Sequence, residues 1–171
     1  MLRVAAQEME AYLLSGQQSW PVRGDARLTP GGWLLSSRCL QALPLSVLEV
    51  AERDGLIAAA ERTRQRWRAA WRKKALADAR QRVTVWRAYL QDVLLEERPS
   101  VAEYAVQVRG RAMLTLLEES GDLGAMEQRE CLALDAQLWQ HGRPGAFVWE
   151  ADCAAGFDVQ QFWYLYYCLK G

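Results

Sequence analysis

Histidine is nearly missing from this chain: His141 is the one copy in 171 residues. A histidine-based metal site therefore lacks ligands. A Cys–His nucleophile pair would need His141 beside Cys131 or Cys153, and no spacing imposes that. No C-x-x-C joins Cys39, Cys131, Cys153 and Cys168, so neither a zinc ribbon nor a redox motif is indicated. Free thiols in a reducing cytoplasm are the expectation. There is no G-x-S-x-G elbow for a serine nucleophile. No apolar run reaches the ~18–20 residues of a transmembrane helix. Glu8 and Glu10 stand where a signal peptide would be apolar. These absences predict a cytoplasmic protein with no membrane partner, no cofactor and no metal.

Net charge is also missing, because 21 Lys and Arg balance 21 Asp and Glu. A general nucleic-acid binder draws most of its affinity from surplus cations, so that class is not favoured. What the chain does have is apolar content of 51% and eight Trp. That is too apolar for disorder and enough to bury one core. Trp favours cores and interfaces.

Glycine and proline are both absent between Gly55 and Pro99. The stretch 56–98 is rich in Ala, Arg, Leu, Gln, Glu and Lys, all good helix formers. The spacing predicts one long central helix over about 56–97, roughly 60 Å if straight at 1.5 Å per residue. At about 100° per residue, Leu56, Ala60, Trp67, Trp71, Ala75, Ala79, Val83, Trp86, Leu90, Val93 and Leu94 share one side, which should face the core. The fold expected is all-α, an irregular bundle of about six helices around this one, in a single helical domain over 1–171.

Charge is uneven along that helix. Residues 61–87 hold ten basic side chains against two acidic ones, a local charge of +8 in a chain that sums to zero. Arg62, Arg66, Lys73, Arg80 and Arg87 form a row opposite the apolar side. The row is either matched by acidic neighbours or offers a stripe to phosphate or an acidic partner. A second row, Arg64, Arg68 and Arg72, points toward the apolar side beside Trp67 and Trp71. Stacking of Arg64 on Trp67 and of Arg68 on Trp71 is feasible at i, i+3. Guanidiniums at a core boundary need acceptors, supplied by a carboxylate of a neighbouring helix or by an anionic ligand.

The remaining chain reads as shorter helices. Residues 2–15 form an amphipathic helix ended by Gly16. Residues 17–28 are extended or turning, with Trp20 before Pro21 and a turn at Gly24-Asp25. Thr29-Pro30 starts a helix through Ala42. Its Gly31-Gly32 is only a weak phosphate-site signal, since the P-loop spacing and its Lys are missing. Pro44 restarts a helix that Asp54-Gly55 should stop. Ser100 to Glu103 is a capping box opening a helix to about Glu119. Within it Gly110 suggests close approach of another helix, and Arg109 is expected to be mostly buried and paired with a carboxylate. Asp122 should cap the next helix, which Gly142 ends. The aromatic segment 146–171 should dock on the bundle. Its FWYLYYC run suits either a short helix or a strand.

Carboxylates are the one catalytic option left. Glu49/Glu52, Glu119/Asp122 and Glu127/Glu130 have an i, i+3 spacing that a Mg²⁺-dependent hydrolase could use. The favoured expectation is instead a non-enzymatic domain that binds protein, its own second copy included. A nucleic-acid-associated subunit using the basic row is the alternative.

Overall fold

The computed structural model describes residues 1–24, 26–95 and 100–169. Among them are six α-helices, α1 (Leu2–Leu14), α2 (Pro30–Ala42), α3 (Val47–Arg66), α4 (Arg68–Val93), α5 (Val101–Glu119) and α6 (Ala125–His141). Two small antiparallel pairs join them. β1 (Trp20–Pro21) pairs with β2 (Arg27–Leu28), placing Trp20 opposite Leu28. β3 (Gly142–Pro144) pairs with β4 (Tyr167–Leu169), placing Arg143 opposite Cys168. The fold is an all-α helical bundle. No helix among the described residues is long and apolar enough to cross a membrane.

The central run is helical, but it is not one rod. It begins at Val47 and passes through Gly55, where open space surrounds the backbone. A lone Gly costs a helix about 1 kcal/mol, which neighbouring good formers and a firm start can absorb. That start is Ser46, whose Oγ accepts from the Glu49 N–H while Glu49 accepts from the Ser46 N–H, a full capping box. At Trp67 the backbone leaves helical geometry, with φ −107° and ψ 37°, and α4 begins. The two pieces pack on different partners: α3 lies on α1, whereas α4 lies on α5, α6 and α2. The residues expected to end the run, 96–98, lie outside the described ones.

The apolar side of the run is where periodicity put it. Ala60, Trp71, Ala75, Ala79, Val83, Trp86, Leu90 and Val93 are buried, and Leu56, Trp67 and Leu94 are partly buried. On α5 the faces are rotated from expectation. Arg109 is exposed and Arg111 is buried. The reason is that Arg111 and Thr115 lie beside the buried Val108, Ala112 and Leu116, where Arg111 meets Asp135 of α6 and Thr115 meets Tyr164 of the aromatic tail. Gly110 faces open space rather than a crossing helix. The close approach is at Gly31 instead, where an added Cβ would lie 2.9 Å from the Met113 Cβ and 3.0 Å from Asp78 Oδ2.

The tail turns through two 3-10 segments, Ala151–Gly156 and Trp163–Tyr166, before β4. FWYLYYC is thus part 3-10 helix, over Trp163–Tyr166, and part strand. Trp149 Nε1 donates to the Ala105 carbonyl at 2.8 Å, and Tyr104 Oη donates to the Tyr164 carbonyl at 2.8 Å, so α5 holds the tail at both ends.

Candidate functional site

The end of α5 explains where the buried charge goes. Ser120 is the C-cap and Gly121 follows with φ +69°, a left-handed position that suits Gly. The Gly121 N–H donates to the Glu118 carbonyl and the Asp122 N–H to the Leu117 carbonyl, which together make a Schellman turn. The turn swings Asp122 back onto the joint between α3 and α4. It does not cap α6, whose N-cap is Gly124.

Asp122 then collects donors from both sides of the break at Trp67. Arg64, at the end of α3, reaches Asp122 Oδ2 at 2.8 Å. Arg68, at the start of α4, reaches Oδ1 at 3.1 Å. Trp71 Nε1 donates to Oδ2 at 2.7 Å, and the Ser120 hydroxyl donates at 2.8 Å. The Arg64 guanidinium also lies over the Trp71 ring, 4.7 Å from its centroid. The stack is therefore Arg64 on Trp71, not on Trp67, and Arg68 is not stacked on Trp71. Instead Arg66 lies over Trp67, at 5.5 Å. Arg72 is exposed and pairs with no carboxylate among the described residues. This cluster is internal: Asp122 bridges the two arginines that flank the helix break, and Glu61 adds a second carboxylate to Arg64 at 3.2 Å.

The outer basic row is largely matched in the same way. Arg66 faces Glu10 at 3.8 Å, Arg80 faces Glu127 at 3.0 Å, and Arg87 pairs with Glu130. Arg62 and Lys73 are exposed and show no ion pair among the described residues. The stripe is thus broken in three of its five places by acidic residues of α1 and α6. Lys74, next to the row, turns inward and donates to the Ser15 carbonyl at 3.0 Å and to the Gln17 carbonyl. Burial lowers its pKa, and neighbouring Lys73 adds to that.

The three carboxylate pairs are spent likewise. Glu49 caps Ser46 and Glu52 pairs with Arg3 at 2.6 Å. Glu119 pairs with Arg38, Asp122 with Arg64, Glu127 with Arg80, and Glu130 with Arg87. Among the described residues no group of three or more His, Cys, Asp or Glu is placed to hold a metal ion. His141 is exposed, and its Nδ1 lies 2.8 Å from the Gln137 carbonyl of its own helix. Cys39 and Cys131 are pushed up to about 11, chiefly by burial, so neither is an activated thiol.

The buried ion pair expected at Arg109 belongs to Arg111. Its Nε and Nη2 grip both oxygens of Asp135 at 2.8 and 2.7 Å, a bidentate pair. Its Nη1 donates to the Thr115 hydroxyl at 2.6 Å, which sits 2.7 Å from the Tyr164 hydroxyl. Arg109, two residues earlier, lies over the Trp149 ring at 5.6 Å and makes no ion pair among the described residues.

Two further features bear on function. One is a cavity of about 320 Å³ between β2, α4 and α5, lined in part by Arg27, Arg82 and Arg109. Sequence reasoning missed it because its residues come from three separate elements. The other is the outer face of α6. Leu132 and Trp139 are seven residues apart, on one stripe, and are 64% and 59% exposed. Trp139 is nevertheless fixed. Its ring stacks on Tyr167, with centroids 5.4 Å apart and 15° between planes, and meets Trp163 edge-on at 5.0 Å. Compared with known families, with curated proteins and with solved structures, the chain has no match.

Proposed function

We propose that this protein is a non-enzymatic helical interaction domain that pairs with a second copy of itself through the outer face of α6. The observation that carries the reading is Trp139, a large aromatic side chain that is 59% exposed yet held in place by Tyr167 and Trp163. Binding hot spots are enriched in Trp, and a ring already fixed before contact loses little entropy on docking. Leu132 extends the patch along the same stripe. The formal charge of zero removes the repulsion that keeps many domains apart. Four free cysteines, one buried and three half-buried, suit a reducing cytoplasm.

Sedimentation equilibrium tests this directly. The wild-type chain is expected to pass from monomer to dimer as concentration rises. Trp139→Ser and Leu132→Arg should stay monomeric with unchanged helical circular dichroism. A wild-type chain that remains monomeric at every concentration overturns the reading. The basic row gives nucleic acid little to hold, since Arg66, Arg80 and Arg87 already face carboxylates.

A further inference from the structure

We propose that the cavity between β2, α4 and α5 binds a dianionic oxyanion of the phosphate-monoester class. Its charge balance is the first argument. Asp78 is the single carboxylate on its lining, and it is already satisfied. It pairs with Arg82 at 2.9 Å and accepts from the Gly31 N–H at 2.8 Å, so the N-terminus of α2 is closed by a side chain of the protein itself. Arg27 and Arg109 also line the cavity, both are exposed, and neither meets a carboxylate among the described residues. Two arginines without a carboxylate partner on the lining of one cavity suit a ligand of charge near −2. A phosphate monoester carries that charge at neutral pH, and its three terminal oxygens match guanidinium forks.

Unused donors are the second argument. Trp86 lines the cavity, is 1% exposed, and its indole N–H has no acceptor among the described residues. The Arg82 Nε, also buried, is in the same position. Buried donors are ordinarily paired, and these two sit one helical turn apart on the α4 side of the cavity. The shape agrees. Gly110 leaves the floor open, since an added Cβ would meet nothing within 4 Å. Arg109 stands at the edge of the cavity, its guanidinium over the ring of Trp149, which lies outside the lining. At about 320 Å³ the space exceeds a bare phosphate and admits a small organic ester. Val85 and Val106 supply apolar wall for its carbon body.

The dianion could come from a small phosphate ester or from a phosphorylated side chain of another protein, and the probes separate these. Titration calorimetry and ³¹P line broadening at low ionic strength would use inorganic phosphate, glycerol phosphate and a phosphoserine peptide, with chloride at matched ionic strength as the control. Wild-type protein is expected to bind phosphate but not chloride. Tighter binding of glycerol phosphate assigns the small-molecule source, and tighter binding of the peptide assigns the protein source. Arg27→Ala and Arg109→Ala should each weaken binding by roughly tenfold, about 1.4 kcal/mol. Gly110→Leu should abolish it by filling the floor while helical circular dichroism is kept. No heat and no broadening with the wild-type chain overturns the proposal. So does equal binding by the wild type and both arginine variants, which would place the anion on the exposed Arg62 and Lys73 instead. None of these residues belongs to the α6 stripe, so this result and the dimerisation result stand apart.

Discussion

Arg64 and Asp122 are 58 residues apart in sequence and 2.8 Å apart in space, with the Asp122 side chain fully buried. The contact closes the joint between α3 and α4. Asp122 takes a donor from each helix, Arg64 before the break and Arg68 after it, and adds the Trp71 indole. A carboxylate in this position is costly to desolvate and is retained by its partners.

Removing that carboxylate takes from buried Arg64 its shortest ion pair and leaves it the longer one to Glu61 at 3.2 Å. Asp122→Ala should therefore lower unfolding free energy by about 3–5 kcal/mol, the range for breaking a buried pair from one side. Asp122→Asn keeps the shape and an acceptor and should cost less. Urea denaturation followed by Trp fluorescence measures both. A loss under about 1 kcal/mol for Asp122→Ala would mean that water replaces the carboxylate, and the joint would not depend on it.

Neighbouring arginines on α5 should behave in opposite ways. Arg111 is 6% exposed and bidentate to Asp135, so Arg111→Ala should cost about 3–5 kcal/mol. Arg109 contributes one cation–π contact at the surface, so Arg109→Ala should cost about 0.5–1 kcal/mol. Thermal unfolding of the two variants side by side decides the matter. Equal losses would contradict the burial of these two positions.

The contrast shows what the sequence carried and what it did not. Apolar periodicity located the buried side of 56–94 almost residue by residue, because a helix that buries one stripe must repeat it every 3.6 residues. The same pattern could not say that the helix breaks at Trp67. No Gly or Pro marks that point, and the carboxylate that bridges it lies 58 residues beyond Arg64. On α5 the spacing puts Arg109 between two apolar stripes, Val101, Ala105, Val108, Ala112 and Leu116 on one side and Val106, Gly110, Met113 and Leu117 on the other, and puts Arg111 on the polar face, the reverse of what the fold does. Which arginine turns inward depends on Asp135, Thr115 and Tyr164, and no local spacing reveals them. Asp122 read as a helix cap because Asp often is one. The Schellman turn at Gly121 redirected it. The acidic partners of the basic row were expected in kind, since zero net charge requires them somewhere, but their positions on α1 and α6 are tertiary facts.

Glycines with similar sequence settings should also diverge. Gly31 lies where an added Cβ would crowd Met113 and Asp78, so Gly31→Ala should destabilise by about 1–3 kcal/mol through overpacking. Gly55 and Gly110 are inside helices with open space around them, so each Gly→Ala change should stabilise by roughly 0.5–1 kcal/mol. Chemical denaturation of the three variants gives the signs. Stabilisation by Gly31→Ala would show that α2 can retreat from α4 and α5 at little cost.

Stability should fall in alkali, and the cause can be traced to thiols first. Cys39 is raised from 9.0 to about 11 by burial and then by neighbouring Cys153. Cys131 is raised to about 11 by burial, partly offset by Arg111. A group whose folded pKa exceeds its unfolded value keeps its proton in the folded chain after the unfolded chain has released it. The stabilisation is therefore whole below about pH 9 and is lost as pH rises through about 11. Tyr12, Tyr104 and Tyr164 are also pushed up, in each case chiefly by burial, so the decline continues beyond the thiol range. Denaturation midpoints at intervals from pH 8 to 11 should drop progressively for the wild type. A Cys39→Ala, Cys131→Ala variant should show a shallower slope between pH 9 and 10, before the tyrosines of the unfolded chain ionise. Ellman's reagent at pH 8 should modify both thiols slowly in the folded chain and rapidly in urea. A flat midpoint across this range, or fast modification of the folded protein, would show that the two thiols are far more accessible than their packing against Arg111 and Cys153 implies.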